Sequence, residues 1–145
     1  MRENIVSITA DWKGGTVVEA KIRDFTLLMD APPYEKEDGK SMGPSATETF
    51  LVALGRCIIV STLKAAKALG VKINGLSVEV KMKVRELEPG VWCFEEIAPY
   101  LKIDTDVDKR TLGKLLRSIH KYCAVGNAIK EGLIKEMVLE TPTKQ

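Results

Sequence analysis

Residues 76–85 alternate without a break. Leu76, Val78, Val80, Met82 and Val84 are apolar, and Ser77, Glu79, Lys81, Lys83 and Arg85 between them are polar or charged. A period of two predicts a strand with one buried and one wet face, as in an antiparallel sheet. "EPG" turns the chain, and "VWCFEEIAPYLKID" returns as the partner strand, made less regular by Pro99. Nearer the N-terminus, "NIVSITADW" and "TVVEAKI" flank "KGG", which predicts a hairpin, and "FTLLMD" adds a third strand. "APPYEKEDGKSMGP", with its prolines, glycines and charges, reads as a loop.

The period then changes. "SATE" places Ser45 at an N-cap with Glu48 three residues on, the capping-box pattern, and Gly70 closes the helix that follows. Its core-facing positions read Phe50, Ala53, Leu54, Cys57, Ile58, Ser61, Ala65, Ala68 and Leu69, while Leu51, Val52, Ile59 and Val60 lie on the other side. A helix apolar nearly all round is either central or packed against a second subunit. "DKRTLGKLLRSIHKYC" predicts a second helix, with an apolar stripe of Leu112, Leu115, Leu116, Ile119 and Tyr122 opposite a basic one of Arg110, Lys114, Arg117 and Lys121. "AVGNAIKEG" gives a short helical stretch and "LIKEMVLE" a last strand. The order β-β-β, long α, β-β, α, β is irregular, so the fold class is α+β and not a doubly wound sheet. The length of 145 residues suits a single domain spanning 1–145.

Composition narrows the function classes. A net charge of +2, from 22 basic and 20 acidic residues, gives no reason to expect nucleic acid or an anionic membrane as partner. The basic stripe of the second helix reads as a solvated face, because nucleic-acid binding would want more charge and exposed aromatics. "MRENIVSITADW" is too polar for a secretory signal, and the longest apolar run, broken by Arg56, falls short of the ~18 residues of a membrane span. A cytoplasmic location is the expectation. The one histidine, His120, and three scattered cysteines without a C-x-x-C pair give no start for a zinc site. Trp12 and Trp92 read as core or subunit-interface residues.

The cysteines remain. Cys57 occupies a core-facing helical position, so it is either a buried small hydrophobe or a reactive thiol, and a reactive thiol needs a positive charge or a helix N-terminus nearby. Arg56 points roughly 100° away on the helix and does not supply it directly. Cys123 lies where one helical pattern gives way to another. It either extends the apolar stripe or gains thiolate character from a helix start. Cys93, between Trp92 and Phe94, reads as structural. Glu48 is accounted for by the capping box, although its carboxylate could also accept from an arginine.

"GPSATETFLVALGRC" and "YCAVGNA", in this order and at this separation, resemble the two cysteine motifs of the OsmC/Ohr family of osmotically inducible and organic-hydroperoxide-resistance proteins. The resemblance spans most of the chain. It implies an OsmC-like fold, with antiparallel sheets wrapped around long central helices in an intertwined homodimer. It also implies a thiol-dependent peroxidase acting on hydrogen peroxide or organic hydroperoxides. Cys57 would be the peroxidatic cysteine, passing through a sulfenic acid, and Cys123 would resolve it to a disulfide that an external dithiol reduces. No cofactor or metal is implied. Glu48 and Arg23, or Lys13, are the expected activating residues. The sequence departs from the family's dedicated peroxidases at three points. Thr47 stands ten residues before Cys57, with Glu48 one later; "DWKGGTVVEA" holds Lys13 and no arginine; and Ala124 follows Cys123 where proline is common. These departures support the alternative of a non-catalytic OsmC-like dimer binding a small apolar or thiol-bearing ligand at its interface.

Overall fold

The structure is a computed structural model, described over residues 2–140. It divides into two units whose boundary falls between Phe50 and Leu51.

The first unit holds an antiparallel sheet of β1 (Thr9–Trp12), β2 (Val18–Ile22) and β3 (Phe25–Met29), in that order. Thr9–Trp12 is shorter than the apolar segment "NIVSITADW" predicts, because pairing begins only at Thr9 opposite Lys21. Gly14 and Gly15, at φ 100° and 56°, make the first turn. Arg23 and Asp24 make the second, between the paired residues Ile22 and Phe25. Downstream of β3 the loop is tied to one buried carboxylate. Asp30 accepts from the Thr16 hydroxyl, from the N–H of Ala31 at 2.7 Å and of Met42 at 3.0 Å, and pairs with Lys36 Nζ at 3.2 Å. These donors outweigh burial and hold the Asp30 carboxyl far below the usual carboxylate range. The segment between β3 and the first helix is therefore a fastened loop that includes a 3₁₀ turn at Pro33–Glu35. Gly43 lies so close to Leu28 that a Cβ would fall 2.1 Å from its carbonyl oxygen.

Helix α1 (Ala46–Leu69) starts in the first unit with a complete capping box. Ser45 N–H donates to Glu48 Oε1 at 3.0 Å, and Glu48 N–H donates to Ser45 Oγ at 3.1 Å. It ends in a Schellman motif: Val71 N–H donates to Ala66 O at 2.8 Å and Gly70 N–H to Lys67 O, with Gly70 at φ 68°.

In the second unit α1 buries Leu54, Gly55, Ile58, Ser61, Thr62, Ala65 and Ala66. This stripe is narrower than the pattern predicts. Ala53, Ala68 and Leu69 are exposed, and so are Val52 and Leu63. Of the two alternatives for an all-round apolar helix, burial on every face within the chain is thus excluded. By length and composition α1 could also cross a bilayer, which the count of one uninterrupted run missed, but 39% of its most apolar window is buried here, as in a core helix.

β4 (Gly75–Glu88) and β5 (Val91–Asp104) form a long hairpin around Pro89-Gly90, paired from Gly75 opposite Asp104 to Glu88 opposite Val91, with the register shifting between Lys83 and Val84 and again between Glu86 and Glu88. The alternation of β4 appears as expected, with Leu76, Val78, Val80, Met82 and Val84 half-buried and their neighbours exposed. The core combines Leu54, Ile58 and Ala65 of α1, Ile97, Leu101 and Ile103 of β5, and Leu112, Leu115 and Ile119 of α2 (Lys109–Tyr122). Asp108 caps α2 by accepting from Thr111 N–H at 2.8 Å. A four-residue helix α3 (Ala124–Asn127) follows.

The last strand corrects the sequence expectation of purely antiparallel sheets. β6 (Val138–Glu140) is short and pairs parallel with β5, Tyr100 opposite Val138, giving the order β4-β5-β6. The chain leaves β5 through α2 and α3 before returning, and such a crossover delivers a parallel strand. Pro99 is accommodated because this edge of β5 is paired at Ile97 and again from Tyr100, passing over the residue that has no N–H to give.

Candidate active site

Cys57 sits at the edge of the buried stripe of α1 and is half-buried, with Ser61 one turn further along the same side. Cys123 is buried at the joint where α2 ends and α3 begins. A helix start leaves its first N–H groups without partners inside the helix. Here those of Val125 and Ala124 favour the Cys57 thiolate and that of Gly126 the Cys123 thiolate.

The consequence is an asymmetric thiol pair. Burial pushes the Cys57 thiol up. The Val125 N–H, the Cys123 thiol, the Ser61 hydroxyl and the Ala124 N–H together outweigh it, so Cys57 titrates below an ordinary thiol. Burial likewise pushes Cys123 up. Neither the Gly126 N–H nor Ser61 compensates, since Cys57 itself adds to the rise, and Cys123 titrates above an ordinary thiol. The half-buried Cys57 thus titrates below the buried Cys123. Two backbone bonds fix the joint, Asn127 N–H to Cys123 O at 2.9 Å and Cys123 N–H to His120 O, and Asn127 Nδ2 donates to His120 O at 3.0 Å.

Gly126 is part of this arrangement: a Cβ there would lie 2.9 Å from Cys123 Sγ and 3.8 Å from a Leu54 methyl. Cys123 also lines a pocket of about 230 Å³, whose walls combine apolar residues such as Leu54, Ile58, Ile119 and Met137 with polar and charged ones, among them His120, Lys130 and Glu131.

The other candidate residues have separate surroundings. Glu48 is engaged in the capping box, where Ser45 lowers its carboxyl below the usual value. Arg23 is exposed in the β2–β3 turn, at φ 55° with its guanidinium 5.1 Å from the Phe25 ring centre. Lys13 approaches Glu19 at 4.0 Å. Cys93 stands opposite Arg85 in the β4–β5 hairpin. Trp12 and Trp92 are both exposed, so neither is a core residue of this chain. Among the described residues no cluster of His, Cys, Asp or Glu could hold a metal ion.

Sequence reasoning placed Ser61 on the buried face and gave it no chemistry. Its spacing of four from Cys57, one helical turn, was the available signal. The N–H groups after Cys123 carried no residue-type signal at all.

A profile of OsmC-like proteins matches residues 37–136. An uncharacterized protein of Methanocaldococcus jannaschii is 31% identical over 99 residues, 66% of this chain, and the chain spans about half the length of that relative. The solved structure of an OsmC-like protein from Mycoplasma pneumoniae superposes with a TM-score of 0.78 at 18% identity, covering 97% of this chain and 98% of that one. The organic hydroperoxide resistance protein OhrB of Bacillus subtilis superposes with a TM-score of 0.69 at 16% identity, covering 96% and 98%.

Proposed function

The chain belongs to the OsmC-like protein family, and from that premise we propose that it is a homodimeric thiol peroxidase in which Cys57 attacks and Cys123 resolves. What supports this reading is the pairing of the half-buried Cys57 with Cys123 at the start of α3, in surroundings that lower the first thiol and raise the second. In the first step the Cys57 thiolate attacks the distal oxygen of a hydroperoxide. The O–O bond breaks, the alcohol (or water) leaves with the proton that the thiol gave up, and Cys57 becomes a sulfenic acid. Cys123 then attacks this sulfur, water departs and a disulfide forms, which an external dithiol returns to two thiols. The names of relatives with this fold, among them organic hydroperoxide resistance proteins, support the substrate class. Exposed apolar residues on α1 such as Val52 and Leu63 support burial against a second copy.

Glu48 and Arg23 complete the proposed site as tuning residues. Glu48→Gln keeps an acceptor for the capping box and removes the charge. A changed Cys57 reaction rate at unchanged Tm would give Glu48 a role beyond the cap, and Arg23→Ala is read the same way.

The test is the intact mass and peptide map of the reduced protein before and after one equivalent of cumene hydroperoxide or hydrogen peroxide. The proposal expects loss of two hydrogens and a Cys57–Cys123 linked peptide, and expects Cys57→Ser to abolish peroxide consumption. Thiols left unchanged would overturn it. They would favour the second reading, a non-catalytic dimer that binds a small apolar or thiol-bearing ligand, which the engagement of Glu48 in its cap already supports.

A further inference from the structure

We propose that the outward face of α2 is a docking surface and that its partner is an acidic helix of another protein. Arg110, Lys114, Arg117 and Lys121 follow one another at spacings of four, three and four. All four are exposed, while Leu112, Leu115 and Ile119 on the other side of the helix are buried in the core. The basic row therefore points outward, over a length of about 16 Å at the helical rise.

A face that meets only water has no need of this composition. α2 holds five of the chain's 22 basic residues, Lys109 included, and none of its 20 acidic ones. Like charges three and four apart on a helix repel, where opposite charges at the same spacing would stabilise it. Lys109 and Arg110 also lie in the first turn, where the helix dipole disfavours positive charge and no acidic residue sits. Among the described residues no salt bridge engages Lys114, Arg117 or Lys121. Local conflicts of this kind collect where a protein functions.

Gly113 is a separate observation at the same place. It lies inside α2, three residues after Arg110 and four before Arg117, on their side of the helix. Glycine weakens a helix interior relative to alanine. Packing does not require it, since beyond the local backbone a Cβ would meet only Arg117 Nη1, at 3.4 Å. The missing side chain leaves a notch in the basic row where a partner's backbone can come close, with the Arg117 guanidinium already beside it.

The row fits a helix better than an extended polyanion. Carboxylates in four-three-four spacing on a second helix make a row of equal length, and arginine holds a carboxylate through two parallel N–H···O bonds. A nucleic-acid duplex or an anionic membrane continues beyond the row. Ahead of Arg110 it would meet Asp104, Asp106 and Asp108, all exposed, on a chain that is net acidic outside α2. The apolar stripe of α2 is buried and cannot enter a bilayer. Tyr122, its one aromatic residue, is half-buried with Lys121 Nζ 5.6 Å from the ring centre, a poor platform for a base.

The test uses the full reduced chain and a fluorescein-labelled, alanine-based helical peptide with four glutamates in four-three-four spacing. A peptide of the same composition with its glutamates dispersed around the helix is the control. Anisotropy titration should show tighter binding of the row peptide. Its affinity should fall as salt rises from about 0.01 M to about 0.15 M and the screening length contracts from about 30 Å to about 8 Å. Arg117→Gln should weaken binding about twofold to fivefold, the range of an exposed ion pair. Gly113→Ala separates docking from folding. It should raise Tm, because alanine is the better helix former, and yet weaken the row peptide about fivefold or more by filling the notch. Equal binding of the two peptides overturns the proposal, as does a Gly113→Ala chain that binds like the parent. Tighter binding to a short DNA duplex or to phosphatidylserine vesicles overturns it in favour of a polyanion. Self-association in sedimentation velocity that Arg110→Glu with Arg117→Glu abolishes overturns it in favour of a second copy. Each outcome is independent of the thiol chemistry.

Discussion

Ser61→Ala isolates one of the groups that set the Cys57 thiol. Ser61 is 1% exposed, and its hydroxyl lowers both Cys57 and Cys123. A hydrogen bond of this kind is worth about 0.5–1.5 kcal/mol net. One pKa unit corresponds to about 1.36 kcal/mol, so its loss should raise Cys57 by roughly 0.4–1 unit and cut its thiolate fraction at neutral pH about threefold to tenfold. The Val125 N–H is the larger of the stabilising groups, which puts the expected effect toward the lower end. Helix stability moves the other way, because alanine is the better helix former by about 0.5 kcal/mol. A drop in reactivity therefore cannot be ascribed to unfolding. The assay is the pH dependence of Cys57 alkylation by iodoacetamide, with Tm measured in parallel. A folded-state thiol below its unfolded value stabilises the fold above about pH 8.5 and loses that contribution as pH falls through the folded value. The variant should thus lose stability relative to the parent only on the alkaline side. An unchanged or lowered alkylation midpoint would refute the argument.

Three further outcomes are expected. Asp30→Asn removes the charge that Thr16, Ala31, Met42 and Lys36 surround, and should lower Tm at neutral pH. Because the folded pKa is depressed, the difference from the parent should shrink as pH falls below about 4, as thermal scans from pH 7 to acid would record. Gly43→Ala drives a Cβ into the Leu28 carbonyl, a backbone contact that cannot yield, so the β3–α1 loop should lose amide-exchange protection. Gly126→Ala crowds the Cys123 sulfur and should cost about 1–3 kcal/mol in denaturant unfolding; its Cys57–Cys123 bridging, followed by peptide mapping, should also slow.

What could be read from the sequence was what local patterns specify. The period of β4, the Pro89-Gly90 turn and the Ser45–Glu48 capping box are written in consecutive residues and appear as expected. The buried width of α1 was not legible, because Ala53, Ala68 and Leu69 are apolar yet exposed, and residue type does not say which apolar face finds a partner. The direction of β6 depends on a crossover, and the anchoring role of Asp30 on groups up to fourteen residues away in sequence. For the candidate site, the two cysteines were picked out by resemblance to a family motif. The donors that differentiate them are main-chain N–H groups that any non-proline residue would provide, and these become visible only once the chain bends at Cys123.

That bend also governs how quickly the pair could respond to an oxidant. The main chain of Cys123 is pinned on both sides, to His120 and by Asn127, so the proposed bridging is expected to need no unwinding of a helical turn. In that proposal, closure would fall to rotation of side chains, a picosecond-to-nanosecond event, and not to local unfolding on microseconds or longer. Bridging in this protein should accordingly show the shallow temperature dependence of a bond-making step, without the steep activation enthalpy that prior melting of structure imposes.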